Sequence, residues 1–331
     1  MTKILLLIGL LVSLFACANY GIGFNETLKI GTASFSGAYY PTGGALAKII
    51  NEHTNEDFSK VVSTGGSADN INRLIRGKIH LALVQADRHY EAWYGQGEWT
   101  ELGPQKKLRS LFSLYPQTIN LVATRVSGIS SLKDLEGRRV NIGSKGSGER
   151  ANAVDVMKAA NVDLKKVKVS EYPISLASRY FLEGKLDAFF YTIGHPSLVI
   201  SEASNVQGGA FIVPIQGVDS FFVKYPYYQS TLVPMNRYAS MVNSKERVES
   251  IGIQTTLLTT EDVPEGIIYK VVKHIFENFD EFKSQHAVLK DLSKREMLQG
   301  LTAPLHPGAE RYFRESGLLD EFDPVKRIFG K

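Results

Sequence analysis

LKIGTASFSGAYYPTGGALAKIIN (residues 28–51), KVVSTGGSADNINRLIR (60–76) and LALVQAD (81–87) follow one another closely, and their order decides the fold. Leu28-Lys29-Ile30 reads as a short strand, and Pro41 to Asn51 as a helix with proline in its first turn. Val61-Val62 opens a second strand, Ser67 to Arg76 forms a helix, and Leu81 to Gln85 forms a third strand. Strand, loop and helix repeated in this way predict an open, largely parallel sheet with helices on both faces.

The pattern breaks and then restarts. Leu108–Tyr115 and Ile119–Arg125 read as two longer strands separated by Pro116. A second α/β series follows: Arg139–Gly143, Val167–Ser170, Leu186–Thr192 and Phe211–Pro214 as strands, with helices over Ser147–Ala160, Ser175–Gly184 and Pro196–Ala203. Beyond Leu232-Val233-Pro234 comes a strand over Ser250–Thr259, then helices over Pro264–Phe279 and Glu281–Lys294. The expected fold class is α/β with two lobes, each an open mixed sheet flanked by helices, and a cleft between them. In such sheets ligands bind beyond the carboxyl ends of the strands, at helix starts.

The N-terminus predicts export. Lys3 precedes an apolar run from Ile4 to Ala16, too short to span a bilayer and laid out like a secretory leader. Ala16 and Ala18 place small residues for cleavage after Ala18; alternatively Leu14 to Cys17 is a lipobox and Cys17 is acylated. Simple secretion to the periplasm is the favoured reading. Cys17 is the only cysteine, so a mature chain that loses or acylates it has no disulfide and no thiolate metal site. Loss of Lys3 with residues 1–18 takes the formal charge from +4 to +3. The basic residues are scattered, which argues against nucleic acid as a partner.

Three loops at strand ends carry the candidate site. Gly31 to Pro41 is rich in small and hydroxyl residues and leads into a helix, where unpaired N–H groups suit a carboxylate or phosphate. Ser63 to Asn70 repeats the layout one strand later, and Gly143 to Arg150 opens the second series. The last is neither a Walker loop nor a dinucleotide fingerprint, since no Gly-Lys-Ser/Thr closes it and its glycine spacing is G-x-x-G-x-G. Any one of these loops is also compatible with an ordinary capped turn. Gln85 and Asp87 end the third strand and are candidates to hydrogen-bond a ligand ammonium or amide, although Asp87 equally suits capping of the next helix. Thr192 and His195 end a later strand; a lone histidine between glycine and proline is more often structural. Arg150 and Arg179 suit a ligand carboxylate or a surface ion pair. No H-E-x-x-H, G-x-S-x-G or histidine-carboxylate cluster is present, so neither an enzyme nor a metal or cofactor site is expected.

The motifs IGTASFSGAYYPTGGALAKIIN (30–51), STGGSADNINRL (63–74), LALVQAD (81–87), SLKDLEGRRVNIGSKGSG (131–148) and LDAFFYTIGHP (186–196) together resemble the TAXI-family solute-binding proteins of TRAP transporters. The resemblance runs from residue 28 to about residue 260. It implies a type 2 periplasmic-binding-protein fold, with residues 26–124 plus 233–331 as one lobe and 125–232 as the other. It also implies an integral-membrane TRAP permease as partner and an amino acid or carboxylate, glutamate-like, as ligand. By position it assigns ligand contact to Ser34, Ser36, Gly37, Tyr39, Tyr40, Thr64, Gly65, Ser67, Gln85, Asp87, Ser147, Gly148, Glu149, Arg150, Thr192 and His195. The first loop departs from the family's glycine- and threonine-rich form at Ala33, Ser34, Phe35, Ser36 and Ala38, and Glu149 stands where threonine is frequent. A negative Glu149 at a helix start favours an amine-bearing ligand over a second carboxylate. The rival expectations are a surface lipoprotein with a cleft blocked by Phe35, a ligand sensor, and an enzyme on the same framework.

Overall fold

The computed structural model describes residues 26–54 and 58–319. The leader, the choice between cleavage after Ala18 and acylation of Cys17, and the last residues of the chain lie outside that range. Among the described residues, no helix is long and apolar enough to cross a membrane.

The chain runs through β1 (Leu28–Gly31), α1 (Tyr39–Thr54), β2 (Ser59–Val62), α2 (Ser67–Ile75), β3 (Leu81–Gln85), α3 (Ala86–Tyr94) and the long β4 (Leu108–Thr124). It continues through β5 (Arg139–Asn141), α4 (Gly148–Ala159), β6 (Lys168–Ser170), α5 (Ile174–Leu182), β7 (Ala188–Ile193), α6 (Leu198–Ala203), β8 (Ala210–Val213), α7 (Asp219–Lys224) and β9 (Tyr228–Leu232). It closes with the long β10 (Glu249–Thr260), α8 (Glu265–Glu277), α9 (Phe279–Ser284) and α10 (Pro307–Glu315). The alternation expected from sequence is present, with strands paired in parallel where α-helices connect them: β1 with β2 and β3, and β5 with β6 and β7.

The two expected sheets are joined into one hydrogen-bonded path, β2-β1-β3-β10-β4-β7-β5-β6, with β8 on β4 and β9 on β10. The cause is β4 and β10, which are long enough to belong to both halves. Residues 108–113 of β4 pair with 256–260 of β10 beside β3, whereas residues 118–124 face β7 and β8. Residues 108–124 therefore form one strand where the sequence suggested two, and Arg125, expected to end the second, opens a 3-10 turn. Pro116 has no N–H to contribute to a ladder. The strand keeps it because it is exposed, pairs with Gln254, and sits beside a register shift between Gln254 and Thr256. The helix expected over Glu281–Lys294 is also shorter: α9 ends at Ser284, and the extended His286 starts a separate 3-10 turn by accepting Val288 N–H on its ring.

Apolar burial follows the pattern in the sequence. Every residue of β3 is buried, as the unbroken run LALVQ suits an interior strand, here between parallel β1 and antiparallel β10. One core packs α1, α8 and α10 against β1, β3 and β4; a second packs α4 and α7 against β5, β7 and the start of β10; a third lies under α2 around Trp99.

A cavity where four helices begin

Strand-to-helix turns from both halves of the sheet converge on one cavity of about 220 Å³. At roughly 30 Å³ of liquid volume per water, that space equals about seven waters and suits a ligand of amino-acid size. Its wall contains Ser34, Gly37, Tyr39, Thr64, Gly65, Ser67, Gln85, Ser147, Gly148, Glu149 and Thr192, all expected from sequence. Ala33, Ala38, Gly66, Gln117, Ser144, Pro173, Ile174, Tyr191 and Ile193 complete it.

The first half contributes two helix starts. Gly37 N–H donates to Ser34 O, closing the turn before α1. The α2 start is built on Gly66, whose φ of 109° is in the left-handed region that a side chain rarely adopts. A Cβ there would also lie 3.3 Å from Ser147 Cα. Thr64 is fixed from within, donating to Thr32 O at 2.9 Å and Asn70 Oδ1 at 2.7 Å. Asp69 N–H donates to Gly146 O in the other half, which leaves the N–H groups of Ser67 and Ala68 unpaired among the described residues.

The second half supplies α4. Ser147 caps it, its Oγ accepting Arg150 N–H at 3.1 Å, so the Gly148 and Glu149 N–H groups remain. The Glu149 side chain folds back over Gly143, where a Cβ would meet its Oε1 at 2.5 Å, and Gly143 has φ 94°. The side chain is half-buried, enclosed by protein except where it opens into the cavity. This burial pushes its pKa up to about 8. Among the described residues it has neither a hydrogen bond nor an ion pair. The neighbouring cations are engaged elsewhere: Arg150 Nε binds Glu171 at 2.6 Å, and Lys145 Nζ lies 3.9 Å from the same carboxylate.

Direct contacts hold the halves together around the cavity. Tyr191 donates its hydroxyl to Ser36 O at 3.3 Å. The Gln85 amide presses on Gly148, where a Cβ would stand 1.8 Å from Gln85 Oε1. Gln85 is only 3% exposed, and its Oε1 has no hydrogen-bond partner.

Five expected contacts stand outside the wall. Asp87 is fully buried, but its Oδ2 accepts from Asn152 Nδ2 at 2.6 Å and Tyr228 Oη at 2.9 Å, and Arg88 Nε lies 3.3 Å away. It does not reach the cavity: its Oδ1 accepts the Arg88 N–H in the first turn of α3 at 2.6 Å, the capping role expected as the alternative, and its Oδ2 ties that helix to α4 and β9. His195 is held between Thr118 Oγ1 at 2.5 Å and the Tyr238 hydroxyl, and burial lowers its pKa to about 4, so it is a neutral packing residue. Arg150 is committed to Glu171. Ser36 is exposed and contributes its carbonyl; Tyr40 turns outward against Phe35, ring centroids 4.4 Å apart. Phe35 is 69% exposed and fills none of the cavity wall, contrary to the blocked-cleft expectation. Arg179, considered as a carboxylate partner, lies 3.8 Å from Glu183 instead.

Sequence reasoning missed Gln117, Tyr191 and the Pro173–Ile174 turn. Gln117 Nε2 donates to Tyr39 Oη at 2.9 Å and Thr255 Oγ1 at 2.8 Å, from the point where β4 crosses between the halves. No local pattern marks that position. The Pro173–Ile174 turn was accessible, because it too follows a strand and starts a helix.

A family model described as NMT1-like matches residues 30–317. MatC of Rhodopseudomonas palustris, solved with bound malate, superposes with a TM-score of 0.56 at 15% identity, over 89% of this chain and 98% of its own. The periplasmic binding protein BugD superposes at 0.55 and 12% identity, over 92% of this chain and 97% of its own. At these identities the likeness is one of fold, and the fold is the two-lobed one of periplasmic binding proteins.

Proposed function

The chain belongs to the NMT1-like family, and from that membership and the cavity we propose that it is an exported solute-binding protein that captures a small polar ligand between its lobes. It delivers the ligand to an integral-membrane permease, of TRAP type if the TAXI-like motifs carry their family's partner. The lobes divide near residues 124 and 232, where β4 ends and after β9.

One observation carries this reading. A ligand-sized cavity is walled by helix starts from both halves of the sheet, so a molecule bound there touches both at once. A ligand that bridges the halves stabilises the closed arrangement by its differential contacts with it, which makes capture and closure a single equilibrium. The unpaired N–H group of Ser67, in the cavity wall at the start of α2, suits an anionic group, in the manner of helix starts generally.

The test is thermal denaturation of the purified protein, stripped of carried-over ligand, against amino acids, dicarboxylates, 2-oxo acids and sulfonates. At a hundredfold excess over Kd a ligand adds about 2.7 kcal/mol and raises the midpoint by several degrees. A flat response across the panel would refute the reading.

A further inference from the structure

A second groove lies behind the cavity, across the same two crossing strands. Its floor is Pro116 of β4 with Gly252, Ile253 and Gln254 of β10. Successive residues of a strand face opposite ways, so Pro116 borders this groove where Gln117 borders the cavity. One wall is Tyr90 and Tyr94 of α3 with the turn at 300–302, from the first half; the other is Tyr227 with residues 229–231 of β9, from the second. Tyr90 joins the walls, its ring centroid 4.5 Å from that of Tyr94 and 5.0 Å from that of Tyr227. The groove holds about 410 Å³, more than the cavity and within the range of about 300–1,000 Å³ usual for ligand sites. Among the described residues its wall contains no lysine, arginine, histidine, aspartate or glutamate, so an ion entering it would give up water without meeting a counter-charge. Lys106 Nζ, 4.1 Å over the Trp93 ring and 4.9 Å over Tyr94, is outside the wall. The hydroxyls of Tyr90, Tyr94 and Tyr227 and the side chains of Gln229, Ser230 and Thr302 have no hydrogen-bond partner among the described residues. Ring faces beside unengaged hydroxyl and amide tips suit a molecule that is apolar on its faces and polar at its rim.

We propose that this groove is a second ligand site, taking a neutral saccharide whose C–H faces lie on the tyrosine rings and whose hydroxyls bond to the free amide and hydroxyl tips. The site is separate from solute capture; its effect on capture rests on the solute-binding reading. Because the groove is behind the crossing strands, parting of the halves at the cavity narrows it. A saccharide that touches both walls therefore favours the arrangement in which the halves are together. It raises affinity for the cavity ligand, and the cavity ligand raises affinity for the saccharide by the same factor.

Titration of the full chain with D-glucose, D-galactose, N-acetyl-D-glucosamine and maltose, by calorimetry and saturation-transfer NMR, tests the assignment. At least one of the four binds, and it still binds when the cavity is saturated with the compound that most raises the melting temperature. Tyr94→Ala, at a ring 47% exposed, and Ser230→Trp, at an exposed strand position, each weaken saccharide binding about tenfold or more, the scale of one lost ring contact with its buried area. Gly148→Ala, which alters the cavity, leaves a saccharide site in place. Binding of none of the four overturns the proposal, as does displacement of the saccharide by the cavity ligand. Full saccharide affinity in both groove variants, once folded, overturns it too. The wild-type displacement experiment decides the matter even if the variants fail to fold. A cavity affinity that does not move when saccharide is present overturns the coupling while upholding the site. A flat response to the cavity panel, with saccharide still bound, refutes solute capture and leaves the groove assignment standing.

Discussion

Replacing Gly148 by alanine is expected to weaken ligand capture about five- to 150-fold while leaving the ligand-free protein as stable as before. The added Cβ would stand 1.8 Å from Gln85 Oε1, 2.6 Å from its Cδ and 3.1 Å from Ser67 Oγ. Gln85 and Ser67 belong to β3 and α2, whereas Gly148 opens α4 across the cleft. The clash therefore exists only while the halves are together. Gly148 does not have a positive φ, so alanine fits its backbone. Apart from closure, alanine is the better helix former by up to about 1 kcal/mol. In the closed arrangement the buried Gln85 side chain must leave its position, or the halves must part. Forced repacking of this kind costs about 1–3 kcal/mol, and at about 1.4 kcal/mol per tenfold this gives the stated range. Calorimetry with whichever compound of the panel stabilises the wild type most measures the change, beside the ligand-free melting temperature. Gln85→Ala makes room for the methyl, so the same glycine substitution costs much less in that background, a coupling of about 1 kcal/mol or more. Unchanged affinity in Gly148→Ala would refute the reasoning. A large fall in the ligand-free melting temperature would also refute it, by showing that this contact is part of the fold and not of closure.

Three further outcomes follow from the contacts around the cavity. Tyr191→Phe removes the hydroxyl that reaches Ser36 O and should weaken binding by a few-fold, read by calorimetry, with the melting temperature nearly unchanged. Asp87→Ala leaves Arg88 without its adjacent carboxylate and Asn152 and Tyr228 without an acceptor, and should cost about 3–5 kcal/mol in urea unfolding. His195 has a folded pKa near 4 against an ordinary 6.5, so the unfolded chain takes up the proton first as pH falls. Its contribution is present above pH 6.5 and is lost between 6.5 and 4; His195→Gln should flatten the stability profile in that window alone.

Local pattern was enough to establish the fold class and most of the cavity wall. Strands of four to six apolar residues, each followed by a small-residue turn and a helix, are short-range signals, because turn chemistry and helix starts are decided within a few residues. That is why Ser34, Thr64, Ser67 and Ser147 were legible: each sits where a strand hands over to a helix. Gln85 and Glu149 were legible as positions but not as a pair of unmet acceptors, since their environment comes from chain elements far apart in sequence.

Long-range contacts decided the rest. Asp87 and His195 look in sequence like Gln85 and Thr192, polar residues at strand ends. Only packing shows that the first two are used up by Asn152, Tyr228, Thr118 and Tyr238. Gln117 is invisible locally because its position depends on β4 running unbroken past Pro116 into both halves. Gly148 shows the same division at a single residue. As a glycine opening a helix it fits a local rule, yet what requires it is the amide of Gln85, brought from the other half by the sheet. Sequence alone determined where helices begin; the tertiary structure decided which of those beginnings face one another, because that depends on the crossing of two strands and not on the turns themselves.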